Sequence, residues 1–232
     1  MGCVSGRVFG VDACSAGWVG IALSGNQITA YVHANIESLV RHATADGPLQ
    51  VIGIDMPIGL PDASVRRTDL EARAAAGPRR ASVFTTPIRA TLALTDYRQA
   101  SELNKERTGR GISRQAFNLL EKIRQVDGWL PMAPCRIIEV HPELSFAAMA
   151  GAPLPAGKSS WAGLVTRRRL LAEAGIVLAD DLGPAGRKAG GDDVLDAAAA
   201  AWSARRVASG QARRLPAEPE QFSDQIDCAI WT

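Results

Sequence analysis

The sequence predicts an α/β fold, and three observations carry that prediction. The chain opens with three short apolar runs joined by turn residues. Leu49–Asp55 is a nearly continuous apolar run, the composition of a central strand buried on both faces. After it, helical patterns alternate with a further strand-like run, Arg136–His141, which places helices against a sheet.

The first three strands are expected at Arg7–Asp12, Trp18–Leu23 and Gln27–His33, with Gly17 and Ser24-Gly25-Asn26 at the joints. The second joint is short enough for a hairpin, so an antiparallel meander is expected. Asn35 can cap a helix over Ile36–Ala45, which Asp46-Gly47-Pro48 ends. Leu49–Asp55 stops at Met56-Pro57, because proline cannot continue a ladder.

Residues 62–134 change character and read as a helical insertion within a single domain spanning 1–232. Thr68-x-x-Glu71 has the form of a capping box for a helix closing at Gly77-Pro78. Asp96 opens a helix that stops near Gly109, and Ser113 opens a longer one through Trp129. The chain returns to strand at Arg136–His141. His141-Pro142 starts a helix to Ala150, with proline at its first position. Ser159 or Ser160 caps a helix through Ala174, and Leu178–Gly191 reads as a loop. The last long helix begins at Asp192 or Asp193 and runs to Ala208, and Phe222–Trp231 adds a final edge strand.

Composition narrows the function classes. The 232 residues carry 26 Lys and Arg against 24 Asp and Glu, a formal net charge of +2, so no global field points to nucleic acid or membrane. Arginine is nevertheless clustered locally, as at Arg79-Arg80 and Arg167–Arg169. The cysteines, Cys3, Cys14, Cys135 and Cys228, have no C-x-x-C spacing and do not predict structural zinc. Scattered thiols, no signal-peptide pattern and no membrane-length apolar window predict a soluble, cytoplasmic protein that uses no membrane.

The acids carry the chemistry. Asp12 and Asp55 each stand where an apolar strand gives out, and a buried strand ending in a free carboxylate implies a use for the charge. Asp193 and Asp196 share a helix face, as do Asp192 and Asp196. The alanine run that follows lets this helix lie close to a sheet and bring its acids near the strand tips. Glu139 lies within its strand, as an extra ligand or an outward-facing acid. His141 reads as a general base, a ligand or a core histidine, and Glu143 as a surface acid in a first helical turn. Oxygen ligands without a Cys/His cluster suit Mg²⁺ or Mn²⁺. Two such ions about 3.5–4 Å apart can activate water and stabilise the leaving oxygen of a phosphodiester.

Six runs in order carry a family resemblance: G-V-D-A-C-S-A-G-W-V-G (Gly10–Gly20), I-D-M-P-I-G-L-P (Ile54–Pro61), S-V-F-T-T-P-I-R (Ser82–Arg89), G-I-S-R-Q-A (Gly111–Ala116), E-V-H-P-E-L-S-F (Glu139–Phe146) and G-D-D-V-L-D-A-A-A-A-A-W (Gly191–Trp202). They resemble the DUF429 family, described as a predicted nuclease of the ribonuclease H-like fold. The resemblance implies a mixed five-stranded sheet flanked by helices, from which the helical insertion between strands 4 and 5 is a departure. It also implies a first-strand acid, a fourth-strand acid and a last-helix acid, matching Asp12, Asp55 and Asp193 or Asp196. The style is that of Holliday-junction resolvases, which carry something much shorter than this insertion.

The resulting expectation is a metal-dependent nuclease acting on DNA or RNA, with a homodimer allowed. Asp12, Asp55, Asp193 and Asp196 bind Mg²⁺ or Mn²⁺, and Glu139 assists. Arg89, Lys158 and Arg167–Arg169 contact phosphate, and His141 lies beside the substrate. The alternatives are a nucleotide-binding phosphotransferase of the actin or sugar-kinase type, against which stands the lack of a glycine-rich phosphate loop, and a non-catalytic binding protein retaining the fold.

Overall fold

Alternation within the first strand already separates two layers. In the computed structural model, which describes residues 6–232, β1 (Val8–Cys14) sends Val8 into one hydrophobic cluster and Phe9 and Val11 into another on the opposite face. Strands β2 (Gly17–Ser24) and β3 (Gln27–His33) complete the expected antiparallel meander. α1 (Ile36–Ala45) follows, with the Asn35 side chain accepting the Ser38 N–H at 2.8 Å. β4 (Val51–Ile54) then pairs parallel to β1.

The segment between β4 and β5 is helical. It holds α2 (Arg67–Ala75), α3 (Tyr97–Thr108), α4 (Arg114–Asn118) and α5 (Leu120–Trp129), with short 3-10 turns between them. Two expectations here are corrected. Thr68-x-x-Glu71 is not a capping box: Thr68 lies inside α2, its N–H donates to Glu220 Oε1 at 3.1 Å, and its hydroxyl donates to the Cys228 carbonyl. A distant strand acid therefore caps this helix. The helix expected from Ser113 to Trp129 is two helices with a break at Leu119.

β5 (Arg136–Val140) pairs parallel to β4, and α6 (Pro142–Ala150) leaves it directly. α7 (Trp161–Glu173) is capped by Ser160. The loop expected at 178–191 contains a short helix, α8 (Pro184–Lys188). α9 (Gly191–Ala208) begins one residue earlier than Asp192.

Among the described residues the sheet has seven strands, in the order β3-β2-β1-β4-β5-β7-β6, where five were expected. The additional strands are β6 (Arg214–Glu220) and β7 (Cys228–Trp231). β7 lies parallel to β5 inside the sheet and antiparallel to β6, so β6, with its two prolines, is the edge strand that had been expected at Phe222–Trp231.

α9 crosses the middle of the sheet on the Val8 face. A Cβ on Gly10 would stand 2.0 Å from the Ala201 nitrogen, and one on Gly53 2.7 Å from the Ala200 oxygen. Two strand glycines and the alanine face of α9 thus bring helix backbone directly onto sheet backbone. α1 and α5 cover the opposite face through Leu39, Val40, Ile123 and Val126. Among the described residues, no helix is long and apolar enough to cross a membrane. The thiols of Cys14, Cys135 and Cys228 are free, and Cys3 lies outside the described residues.

Candidate metal centre

The contact of α9 with β1 and β4 determines where three acids meet. Asp12 follows Val8 and Gly10 on the α9 side of β1, and Asp55 follows Val51 and Gly53 on the same side of β4. The Asp55 N–H donates to the Val11 carbonyl at 2.9 Å, which fixes the two strand ends together. Asp196 points down from the first turns of α9 and is 3% exposed. One carboxylate oxygen from each of Asp12, Asp55 and Asp196 lies within 4.8 Å of the others.

Burial raises all three carboxyl pKa values, and repulsion from neighbouring carboxylates adds to it. Asp12 is held well above the usual carboxylate range, first by burial and then by Asp55 and Asp196. Burial pushes Asp55 up to about 7, against the opposing pull of Lys158, with Glu139 and Glu143 adding to the rise. Asp196 also reaches about 7 through burial, although Lys158 Nζ sits 2.7 Å from its Oδ2. For Lys158, burial acts to lower the pKa, but Asp196 outweighs it and keeps the ammonium charged.

These acids form the floor of a cavity of about 710 Å³, walled by Arg79, Ser82, Gln115, Asn118, Lys158 and Ser159. The wall that carries Lys158 is fastened from two sides. Arg79 donates to the Leu154 and Pro155 carbonyls, and Arg167 to the Ala156 carbonyl at 3.1 Å.

The structure assigns several residues differently from the sequence reading. Asp193 lines the cavity but stays outside the triad; its Oδ2 accepts the Gly190 N–H at 3.2 Å and holds the start of α9. Glu139 is no ligand: Ile138 and Val140 face α9, so Glu139 faces away, and Arg66 pairs with both its oxygens at 2.8 Å. Arg89 lies in a separate hollow, held between Asp127 and Asp224. Arg167 is fully buried against Glu143 at 2.6 Å and cannot reach a phosphate. Arg168 and Arg169 are exposed on α7, outside the cavity lining. His141 does line the cavity; its Nε2 meets the Ser82 carbonyl at 3.4 Å, and its buried Nδ1 has no partner among the described residues.

Sequence reasoning missed two residues. Glu143, read as a surface acid, is buried, lines the cavity and leaves Oε2 unpaired among the described residues. Arg66, which as half of the Arg66-Arg67 doublet reads as solvated helix surface, is buried and is the hub of the ion-pair group beside Asp55.

A family model described as "Protein of unknown function (DUF429)" matches residues 10–221. The chain belongs to the DUF429 family. The match runs from β1 to the end of β6 and so includes Asp12, Asp55 and Asp196. No curated protein and no solved structure matches this DUF429 chain.

Proposed function

We propose that this DUF429 protein is a metal-dependent nuclease of the ribonuclease H-like type, in which Asp12, Asp55 and Asp196 hold a divalent cation. The observation that carries the reading is the meeting of three carboxylates, two buried and one half-buried, from two strand tips and one helix on the floor of a large cavity. The donor set fits the ion. Three carboxylates against one lysine leave two negative charges when all are ionised, which one divalent cation balances. The ligands are oxygen only, which favours Mg²⁺ or Mn²⁺ over zinc. The sheet order β3-β2-β1-β4-β5, antiparallel and then parallel, with the last helix laid across it, supports the fold assignment.

A cation bound there supplies Lewis-acid stabilisation of charge on a phosphoryl oxygen and a lowered pKa for a bound water. The chain's own residues do the remainder. Asp12, Asp55 and Asp196 give up the protons that burial lets them retain near neutral pH. Lys158, 42% exposed, is free to leave Asp196 and meet the phosphate of a DNA or RNA strand. Arg79, Gln115 and Asn118 line the walls with hydrogen-bond donors for the same backbone. The 2.7 Å pair between Lys158 and Asp196 offsets part of the repulsion among the carboxylates while no cation is held.

The test is cleavage of single-stranded and duplex DNA and RNA by purified protein with Mg²⁺, with Mn²⁺ and with EDTA. The reading requires activity that EDTA abolishes and that Asp55→Asn removes. Metal-dependent cleavage that persists in Asp55→Asn would reject it.

A further inference from the structure

The helical insertion reaches the Lys158 wall of the acidic cavity through Arg79. After α2 the chain enters the 3-10 turn Gly77–Ser82, with Gly77 at a φ of +52°. The Ser82 hydroxyl closes that turn on the Arg79 carbonyl at 2.8 Å. Gly77 also lies against the segment that leads to Lys158: a Cβ on it would stand 3.6 Å from Pro153 Cγ. Arg79 lines a cavity floored by three carboxylates, yet its hydrogen bonds run to backbone carbonyls. Its Nε donates to the Leu154 carbonyl at 3.1 Å and its Nη2 to the Pro155 carbonyl. A Cβ on Gly157 would meet Nη1 at 3.4 Å.

The next two carbonyls are held as well. Ala156 accepts from Arg167 Nη1 at 3.1 Å. Gly157 accepts from the Ser160 hydroxyl at 2.8 Å and from the Ser160 N–H at 3.1 Å. Consecutive carbonyls from Leu154 to Gly157 are thus fixed immediately before Lys158, whose Nζ sits 2.7 Å from Asp196 Oδ2. Arg167 and Ser160 belong to α7 and its cap, on the same wall as the segment they hold. Arg79 comes from the insertion, so it ties two separate parts of the chain together.

We infer that Arg79 is a positioning residue for the metal centre: by tying the insertion to the Leu154 and Pro155 carbonyls, it holds the Lys158 ammonium against Asp196, where it competes with the cation. The inference rests on the cation-binding part of the proposed function and gives the insertion a role in controlling it. A charge on an ordered segment competes better than one on a free loop, because the segment has no ordering cost left to meet. Without the tie, Lys158 sits on Asp196 less often and leaves it to the cation. Lysine at position 79 keeps the charge but cannot reproduce a fork on two carbonyls, so Arg79→Lys separates position from electrostatics.

The experiment is a double-mutant cycle on Mn²⁺ affinity, read by titration calorimetry of the full chain, with melting temperatures of the metal-free proteins alongside. Arg79→Lys should tighten Mn²⁺ binding about threefold in the wild-type background and leave it unchanged in Lys158→Met. Arg79→Gln, which also removes a charge, should tighten it more in the wild type than in Lys158→Met. Shifts of equal size in both backgrounds would show that Arg79 acts without Lys158, and would overturn the inference. A lower melting temperature with no coupling to Lys158 would overturn it too, as the mark of a structural role alone. If Lys158→Met tightens Mn²⁺ while both Arg79 variants bind as wild type, only the tie fails. If the wild type binds no Mn²⁺, the metal centre fails with it. The cycle involves no cleavage, so a failure of the nuclease reading on the substrate side leaves its result intact.

Discussion

Two buried charge groups lie side by side where β4 and β5 end, and they are built on opposite principles. Around Arg66, every charge has its partner. The guanidinium bonds Asp69 at 2.6 Å and both oxygens of Glu139 at 2.8 Å, and donates to the Ile58 and Gly59 carbonyls. Glu139 and Asp69 accept further bonds from the Ile58 and Thr86 N–H groups at 2.8 and 2.6 Å. Around Asp12, Asp55 and Asp196, one half-exposed lysine faces three carboxylates, and burial raises all three pKa values. A fully satisfied buried network fixes a fold. An under-compensated one at the bottom of an open cavity is a candidate functional site, and here it is where the proposed cation would complete the charge. The first group holds the Met56–Pro61 turn and β5, and so keeps Asp55 where the second group needs it.

Removing a partner from each group should break this contrast most visibly. Arg66→Met strands two buried carboxylates and should cost about 3–5 kcal/mol of stability, read as a large fall in melting temperature or loss of soluble protein. Asp55→Asn should do the reverse to the metal-free protein at pH 8, raising its melting temperature, while reducing metal-dependent cleavage by about a hundredfold or more. If both variants lose stability alike, the two groups are not different in kind.

Lys158→Met should tighten Mn²⁺ binding by about tenfold, because the ammonium competes for Asp196, while weakening oligonucleotide binding. Calorimetry and a binding assay read the two effects separately, and looser Mn²⁺ binding would count against competition.

The pH dependence follows from the raised carboxyl pKa values. Between the unfolded value near 4 and the folded value of about 7 for Asp55 and Asp196, the native state holds more protons than the unfolded chain. Their contribution is thus full at pH 4 and lost as the pH rises through 7. The Asp55 and Asp196 share of stability in the metal-free protein should decline from pH 5 to pH 8. Saturating Mg²⁺ should raise the melting temperature more at pH 8 than at pH 6. Comparison with Asp55→Asn in scanning calorimetry isolates this share, and an identical pH slope in wild type and variant would contradict it. The smallest effect is expected at Arg89. Arg89→Gln should leave cleavage within about twofold of wild type, because its hollow is separate from the acidic cavity.

Much of the acidic group was legible in the sequence. Asp12 and Asp55 declare themselves by ending apolar strands, and the alanine run of α9 implies a helix pressed onto a sheet. The choice between Asp193 and Asp196 was not legible, because residues three apart share a face and only the start of α9 at Gly191 orients them. Glu139 could have been placed: Ile138 and Val140 flank it, and strand alternation puts it on the other side. The roles of Arg66 and Arg167 were hidden because a fully buried arginine is rare and depends on partners such as Glu139 and Glu143, distant in sequence. β6 was missed because R-L-P-A-E-P-E, with two prolines, reads as a loop until its edge position is known.

The most direct trial of the cation pocket is titration calorimetry with Mn²⁺ at pH 7, run in two buffers of different ionisation enthalpy. We expect one saturable site per chain with release of protons from the aspartates, abolished in Asp55→Asn. The absence of a saturable heat, or binding to Asp55→Asn as tight as to wild type, would contradict it.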